Sequence, residues 1–333
     1  MRAKPLVRVA VLLLAAFVSS SAEVCAQSGR GGKSPVYVQT QGAATPFSGQ
    51  RAYEHVKRLV AFGPHPSGSK ELEAARQYIL EQTDGKLEEW VADTPAGKLK
   101  MANVVVELPG QTADTVVIAS HYDTKRFKEF AFVGANDGGS STGALIEIAR
   151  ALHAEGAPRR FTYRLVFFDG EEAVCHEWDE CSKPGRPDNT YGSRHEVGRL
   201  KATGRLKYVR AFILLDMVGY DKLELGRDDI STPWLVDILW RTARELGYAK
   251  QFVERPEGVG GDDHVPFLRA GVPSVDLIQL SNYPHWHTPG DTLDKISPHS
   301  LKAVGDVVLA SLPRIEEKFK GEKGRARGET SKQ

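Results

Sequence analysis

The chain has 333 residues, 41% of them apolar and 26% charged, with a formal net charge of +1. That length allows one large domain or two ordinary ones, and the apolar share is ample for a core. The near-zero charge excludes the basic footprint of a nucleic-acid or acidic-membrane partner, so Arg159 and Arg160 read as solvated surface.

Arg2, Lys4 and Arg8 precede an uninterrupted apolar run over residues 9–18. The run is shorter than the ~20 residues a transmembrane helix needs. Small residues follow, with cleavage expected after Ala22 or Ala26. Residues 1–26 therefore read as a secretory signal, with an uncleaved N-terminal anchor as the alternative. Cys25 raises a lipoprotein reading that Glu23 and Val24 fit poorly. The mature protein is expected in the periplasm or outside the cell, without stable membrane insertion. Residues 27–47, rich in Gly, Ser, Gln and Thr, read as a flexible leader.

Apolar residues at helical spacing predict helices over 53–62 and 72–80. Val104, Val105 and Val106, then Val116, Val117 and Ile118, are β-branched runs expected of strands buried on both faces. A helix follows over 144–152, a strand over 165–168, and another over 211–215. A helix at 234–246, a strand at 274–278 and a helix at 301–312 complete the series, and 320–333 read as a solvated tail. Alternating strands and helices predict one α/β domain, residues 48–319, on a largely parallel central sheet flanked by helices. In an oxidising compartment Cys175 and Cys181 could pair; two separate thiols are the alternative.

The acids and histidines are not scattered. His121 and Asp123, Glu171 and Glu172, Asp216, and His287 each follow a predicted strand. Ligands bind at that edge of open α/β sheets. Taken singly, His121 reads as a satisfied buried histidine, Asp137 as a cap of the helix starting near Ser140, and Asp216 as a turn residue. Glu171 and Glu172 resist such a reading, because adjacent carboxylates at a buried strand end repel unless a cation or proton compensates them. Together the set suits zinc, which takes imidazole nitrogen and carboxylate oxygen and keeps a catalytic position open. One glutamate would then bind metal while its neighbour transfers protons.

In order, His121, Asp137, Glu172, Asp216 and His287 resemble the metal-site set of the bacterial zinc aminopeptidase clan. The flanking motifs, His-Tyr-Asp-Thr-Lys at 121–125, Phe-Phe-Asp-Gly-Glu-Glu-Ala at 167–173, Asp-Asp-His-Val-Pro-Phe-Leu at 262–268 and Trp-His-Thr at 286–288, look like glutaminyl-peptide cyclotransferase. The resemblance implies an aminopeptidase-like fold and cyclisation of N-terminal glutamine to pyroglutamate with loss of ammonia. It implies one zinc on Asp137, Glu172 and His287, and Glu171 as acid/base. Asp216 and Asp262 would hold the amine, and Trp286, Trp178 and Lys125 would border the substrate. His121 would be left as a neighbour of this site or a ligand of a second ion. The chain departs from the animal enzymes at Asp276, where they carry a His, and at Ser120, which occupies one position of their disulfide. The expected partners are peptides or proteins beginning with Gln, met by a monomer. A two-zinc aminopeptidase is the alternative. A non-catalytic ectodomain on the same fold is disfavoured, since no ligand type and no base is missing.

Overall fold

The computed structural model describes residues 47–155 and 159–321. The expected signal peptide, most of the leader and nearly all of the tail lie outside these residues. Among the described residues no helix is long and apolar enough to cross a membrane.

Among the described residues, eight strands and seven helices alternate. The strands are β1 (Lys86–Thr94), β2 (Gly97–Leu108), β3 (Thr115–His121), β4 (Thr162–Phe168), β5 (Val209–Leu215), β6 (Leu225–Asp228), β7 (Phe252–Glu257) and β8 (Ser274–Leu277). The helices are α1 (Gly49–Val60), α2 (Lys70–Thr83), α3 (Gly139–Glu155), α4 (Tyr191–Ala202), α5 (Pro233–Glu245), α6 (His264–Arg269) and α7 (Pro298–Lys318). Six strands form one sheet in the order β1-β2-β4-β3-β5-β8. The β4-β3, β3-β5 and β5-β8 pairs are parallel, while β1-β2 and β2-β4 are antiparallel. The sheet is thus largely parallel with an antiparallel edge, and β6 and β7 form a separate parallel pair.

Every residue of β3 and β4 is buried, as their β-branched runs predict. Alternation sends Val116, Ile118, Leu165 and Ile213 to one face, where they pack with α1, α3, α5 and α7. Val117, Val166, Phe212 and Leu214 go to the other, against Val197 and Leu200 of α4 and Phe267 of α6. The central helix α3 buries 13 of its 17 residues, and it lies close against α1. A Cβ on Gly143 would lie 2.8 Å from the Ala52 carbonyl, so that approach needs glycine.

The hairpin strand β1, the helix α4 and the β6-β7 pair were not expected from sequence. β1 is an edge strand whose exposed and half-buried positions dilute the apolar signal. Much of α4 is polar because it serves an ionic network. Arg164, in the middle of β4, is 2% exposed and donates to Glu196 of α4 (2.8 Å), Glu107 of β2 (3.1 Å) and Glu88 of β1 (2.8 Å). One guanidinium therefore ties two neighbouring strands and a helix to the sheet centre. Removing one partner of a buried ion network leaves uncompensated charge. Arg164→Ala is expected to cost about 3–5 kcal/mol, read as a lowered denaturant midpoint with an unchanged slope.

Candidate metal centre

Parallel strands bring the C-terminal ends of β3, β4, β5 and β8 to one edge, and the chemistry collects there. His121 is the last residue of β3, Glu171 and Glu172 follow β4, and Asp216 follows β5. Asp137 precedes α3, and His287 lies in the loop after β8.

The turns holding these groups are fixed by two aspartates: Asp123, already singled out beside His121, and Asp291, which sequence reasoning did not assign to the site. Asp123 accepts the backbone N–H of Glu171 at 3.1 Å and of Glu172 at 3.3 Å, which sets the pair at the end of β4. Asp291 accepts the N–H of Asn136 at 2.8 Å and of Asp137 at 3.0 Å, and the Tyr283 hydroxyl at 2.6 Å. Asp123 was visible two residues from His121. Asp291 carried no comparable signal. Gly138, at φ +77°, lets the chain turn under the site; a Cβ there would lie 2.9 Å from the His121 ring.

His287 Nε2 lies 3.2 Å from Glu172 Oε1 and 3.4 Å from Asp137 Oδ2. The Asp137 Oδ2 and Glu172 Oε2 atoms are buried with no hydrogen-bond partner. A tetrahedral zinc with bonds of ~2.0–2.1 Å separates its ligand atoms by about 3.3–3.4 Å. The three side chains thus have the atom types, the spacing and the unsatisfied negative charge that the ion requires. A second triplet shares Asp137: His121 Nε2 is 3.3 Å from Asp137 Oδ1 and 3.1 Å from Asp216 Oδ1. In this triplet the contacting atoms, His121 Nε2, Asp137 Oδ1 and Asp216 Oδ1, are paired with one another and none of these three is orphaned.

Electrostatics follows from packing so many carboxylates into dry protein. Burial, with Glu172, Asp262 and Asp263 nearby, pushes Glu171 well above the usual carboxylate range despite the opposing pull of His121. Burial and Asp216 raise Asp262 to about 6. Burial would lower His287, but Glu172 and Asp137 raise it to about 10. Burial opposes ionisation of Asp137, yet the His121 and His287 imidazoles beside it hold it far below its ordinary value.

A cavity of about 460 Å³ opens over the triplet, lined by Glu171, Asp216, Asp262, Trp178, Trp286 and Leu280 among others. Of the residues singled out from sequence, His121 alone does not line it; the imidazole is 1% exposed beneath the floor. Trp286 stacks on His287 at 4.3 Å, and Phe127 and Phe132 meet the same ring edge-on at 5.5 and 5.7 Å. His287 and Met217, which flanks Asp216, both hold left-handed backbone at φ +52° and +49°. Such strain concentrates where function positions a side chain. Lys125 is fully buried, and its amine donates to the carbonyls of Ala173 (2.8 Å) and Cys175 (2.9 Å). It borders the cavity with those donors committed to the chain. Cys175 and Cys181 are joined as a disulfide.

Behind Asp262 stands a buried group with Asp276, the position at which the sequence departs from the animal enzymes. His264 lies 3.4 Å from Asp276 and 3.4 Å from Asp228.

The sequence profile of peptidase family M28 matches residues 103–312. A mouse glutaminyl-peptide cyclotransferase-like protein is 32% identical, over 76% of this chain and 72% of its own. The chain belongs to peptidase family M28 and, within it, to the glutaminyl-peptide cyclotransferases. The structure of a glutaminyl cyclase from an Acidobacteriales bacterium matches at 36% identity and a TM-score of 0.77, covering 86% of this chain and 100% of that one. A Zn-dependent exopeptidase from Parabacteroides distasonis matches at 27% identity and a TM-score of 0.70, covering 80% and 98%. Both specialisations of this fold are therefore among the neighbours of this M28 member, which is an enzyme of an aminopeptidase-like α/β architecture.

The raised His287 carries a consequence for metal uptake. An imidazole must be unprotonated to bind zinc. Loading the metal-free protein at pH 7 is expected to release about one proton per ion. Affinity should rise about tenfold per pH unit while that ring remains protonated. Calorimetry in buffers of different ionisation enthalpy reads the proton count; zero would place the ion away from His287.

Proposed function

We propose that this chain cyclises the N-terminal glutamine of peptides or proteins to pyroglutamate, releasing ammonia, with one zinc on Asp137, Glu172 and His287. The carrying observation is the triplet itself: His287 Nε2 lies 3.2 Å from Glu172 Oε1 and 3.4 Å from Asp137 Oδ2, each carboxylate keeps one oxygen without a hydrogen-bond partner, and a separate buried glutamate lines the same cavity. A zinc ion there would supply the positive charge that polarises the substrate's γ-carbonyl.

The chain's own groups account for the remaining chemistry. Asp216 and Asp262 line the same cavity and accept hydrogen bonds from the α-amine. The amine nitrogen bonds to the γ-carbonyl carbon, and the bond from that carbon to the amide nitrogen breaks. Glu171 takes the proton the amine sheds and delivers it to the departing ammonia. Its neighbours favour that role: buried carboxylates raise the proton affinity of Glu171, so it can hold the proton between the two events. Trp286 and Trp178 wall the cavity, limiting water where it would compete with the amine.

A two-metal aminopeptidase is the second reading, because His121 and Asp216 converge on the other oxygen of Asp137. The self-satisfied state of that triplet favours one ion. The disulfide, beside the expected signal, supports export to an oxidising compartment.

Purified protein given a Gln-initiated peptide is expected to release ammonia and leave a peptide lighter by that mass. With a Leu-initiated peptide it should release nothing. Free leucine without ammonia, together with two zinc ions per chain, would establish the peptidase instead. Glu171→Gln should lower turnover by about 10²–10⁴-fold with zinc content unchanged; metal loss in that variant would exchange the roles of the two glutamates.

A further inference from the structure

We propose that the disulfide-closed ring of residues 175–181 decides which residue is accepted directly after the N-terminal glutamine. This rests on the cyclisation reading above and adds a specificity element to it.

The ring begins three residues after Glu172, and four of its members, His176, Glu177, Trp178 and Asp179, line the cavity. Little apolar anchors it beyond the Phe127 ring, which meets His176 edge-on at 5.9 Å. His176, Glu177, Asp179 and Glu180 are exposed, and Trp178 is half-buried with its indole beside Gly261. A polar segment of this kind buries too little to offset the entropy of a fixed conformation. Covalent closure between Cys175 and Cys181 supplies the constraint. Polar ties then place the closed ring. The N–H of Cys175 donates to Asp188 at 2.9 Å, Asn189 donates to the Trp178 carbonyl at 3.2 Å, and Lys125 donates to the Cys175 carbonyl at 2.9 Å. The same Lys125 amine lies 3.9 Å from Glu172, so the ring and the metal triplet share one support.

Glutamine occupies the inner cavity when its γ-carbonyl meets the triplet and its amine meets Asp216 and Asp262. The next residue then leaves along the part of the cavity lined by the ring, Leu280 and Trp286. Trp178 offers that residue an aromatic face flanked by the carboxylates of Glu177 and Asp179. An aromatic or cationic side chain gains there, through ring stacking or cation–π contact, and an acidic one is repelled.

The test compares Gln-Phe, Gln-Lys, Gln-Gly and Gln-Glu peptides with glutaminyl-naphthylamide, which has no second residue. With the disulfide intact, KM for the Phe and Lys peptides is expected about five- to tenfold below that for Gly and Glu. After reduction with a phosphine, confirmed by thiol titration, and in Cys175→Ser/Cys181→Ser, the spread should collapse to about twofold. Turnover of glutaminyl-naphthylamide and zinc content should stay within about twofold. A spread that survives opening of the ring overturns the proposal, as does a uniform fall in turnover accompanied by zinc loss. Hydrogen exchange on the reduced wild-type protein keeps the proposal testable if the double variant fails to fold. Faster exchange confined to residues 173–190 supports it, and no change there overturns it. No ammonia from glutaminyl-naphthylamide would sink the cyclisation reading separately.

Discussion

Buried negative charge is the constraint on which this site depends. Asp137, Glu171, Glu172, Asp216 and Asp262 are each at most 6% exposed, and all line one cavity at the C-terminal edge of the sheet. Carboxylates removed from water cannot all stay ionised without a counter-charge. The protein answers in two ways. His121 pairs with Asp216 and one oxygen of Asp137, while the other Asp137 oxygen, beside His287, and Glu172 Oε2, 3.9 Å from the Lys125 amine, have no hydrogen-bond partner. The first arrangement is closed by protein alone, and the second calls for a cation. Glu171 lines the same cavity, and burial holds its carboxyl well above the usual range.

Keeping such a cluster in place takes rigidity. The strands that deliver it, β3, β4 and β5, are buried on both faces, so their ends cannot shift without disturbing the core. Asp123 and Asp291 then convert strand and helix ends into defined turns by accepting pairs of backbone N–H groups. Farther out, Arg164 locks the antiparallel edge to α4. The least embedded wall of the cavity is the ring of residues 175–181, where a covalent bond does what packing does elsewhere. That division places fixed chemistry on the sheet and adjustable recognition on a loop, as is usual where function sits on connecting segments.

Much of this was legible in the sequence because the signals were local. The runs at 116–118 and 165–168 marked buried strands, and strand ends marked the edge where His121, Glu171, Glu172 and Asp216 gather. The elements that were missed lacked such signals. β1 presents mostly exposed and half-buried positions, and α4 spends its polar residues on Arg164 and its neighbours. Asp291 sits in a loop, and its two backbone bonds reach residues more than 150 positions away in the chain.

The sequence by itself determined the fold class, the ligand types and the family motifs, because hydrophobic period and residue chemistry are properties of short segments. Only the tertiary structure decided which carboxylate oxygens lack partners, that Cys175 and Cys181 are joined, and that the Lys125 amine is committed to the Ala173 and Cys175 carbonyls. It also put His264 between Asp276 and Asp228. Hydrogen-bond satisfaction depends on atoms brought together from across the chain, and no local pattern encodes it.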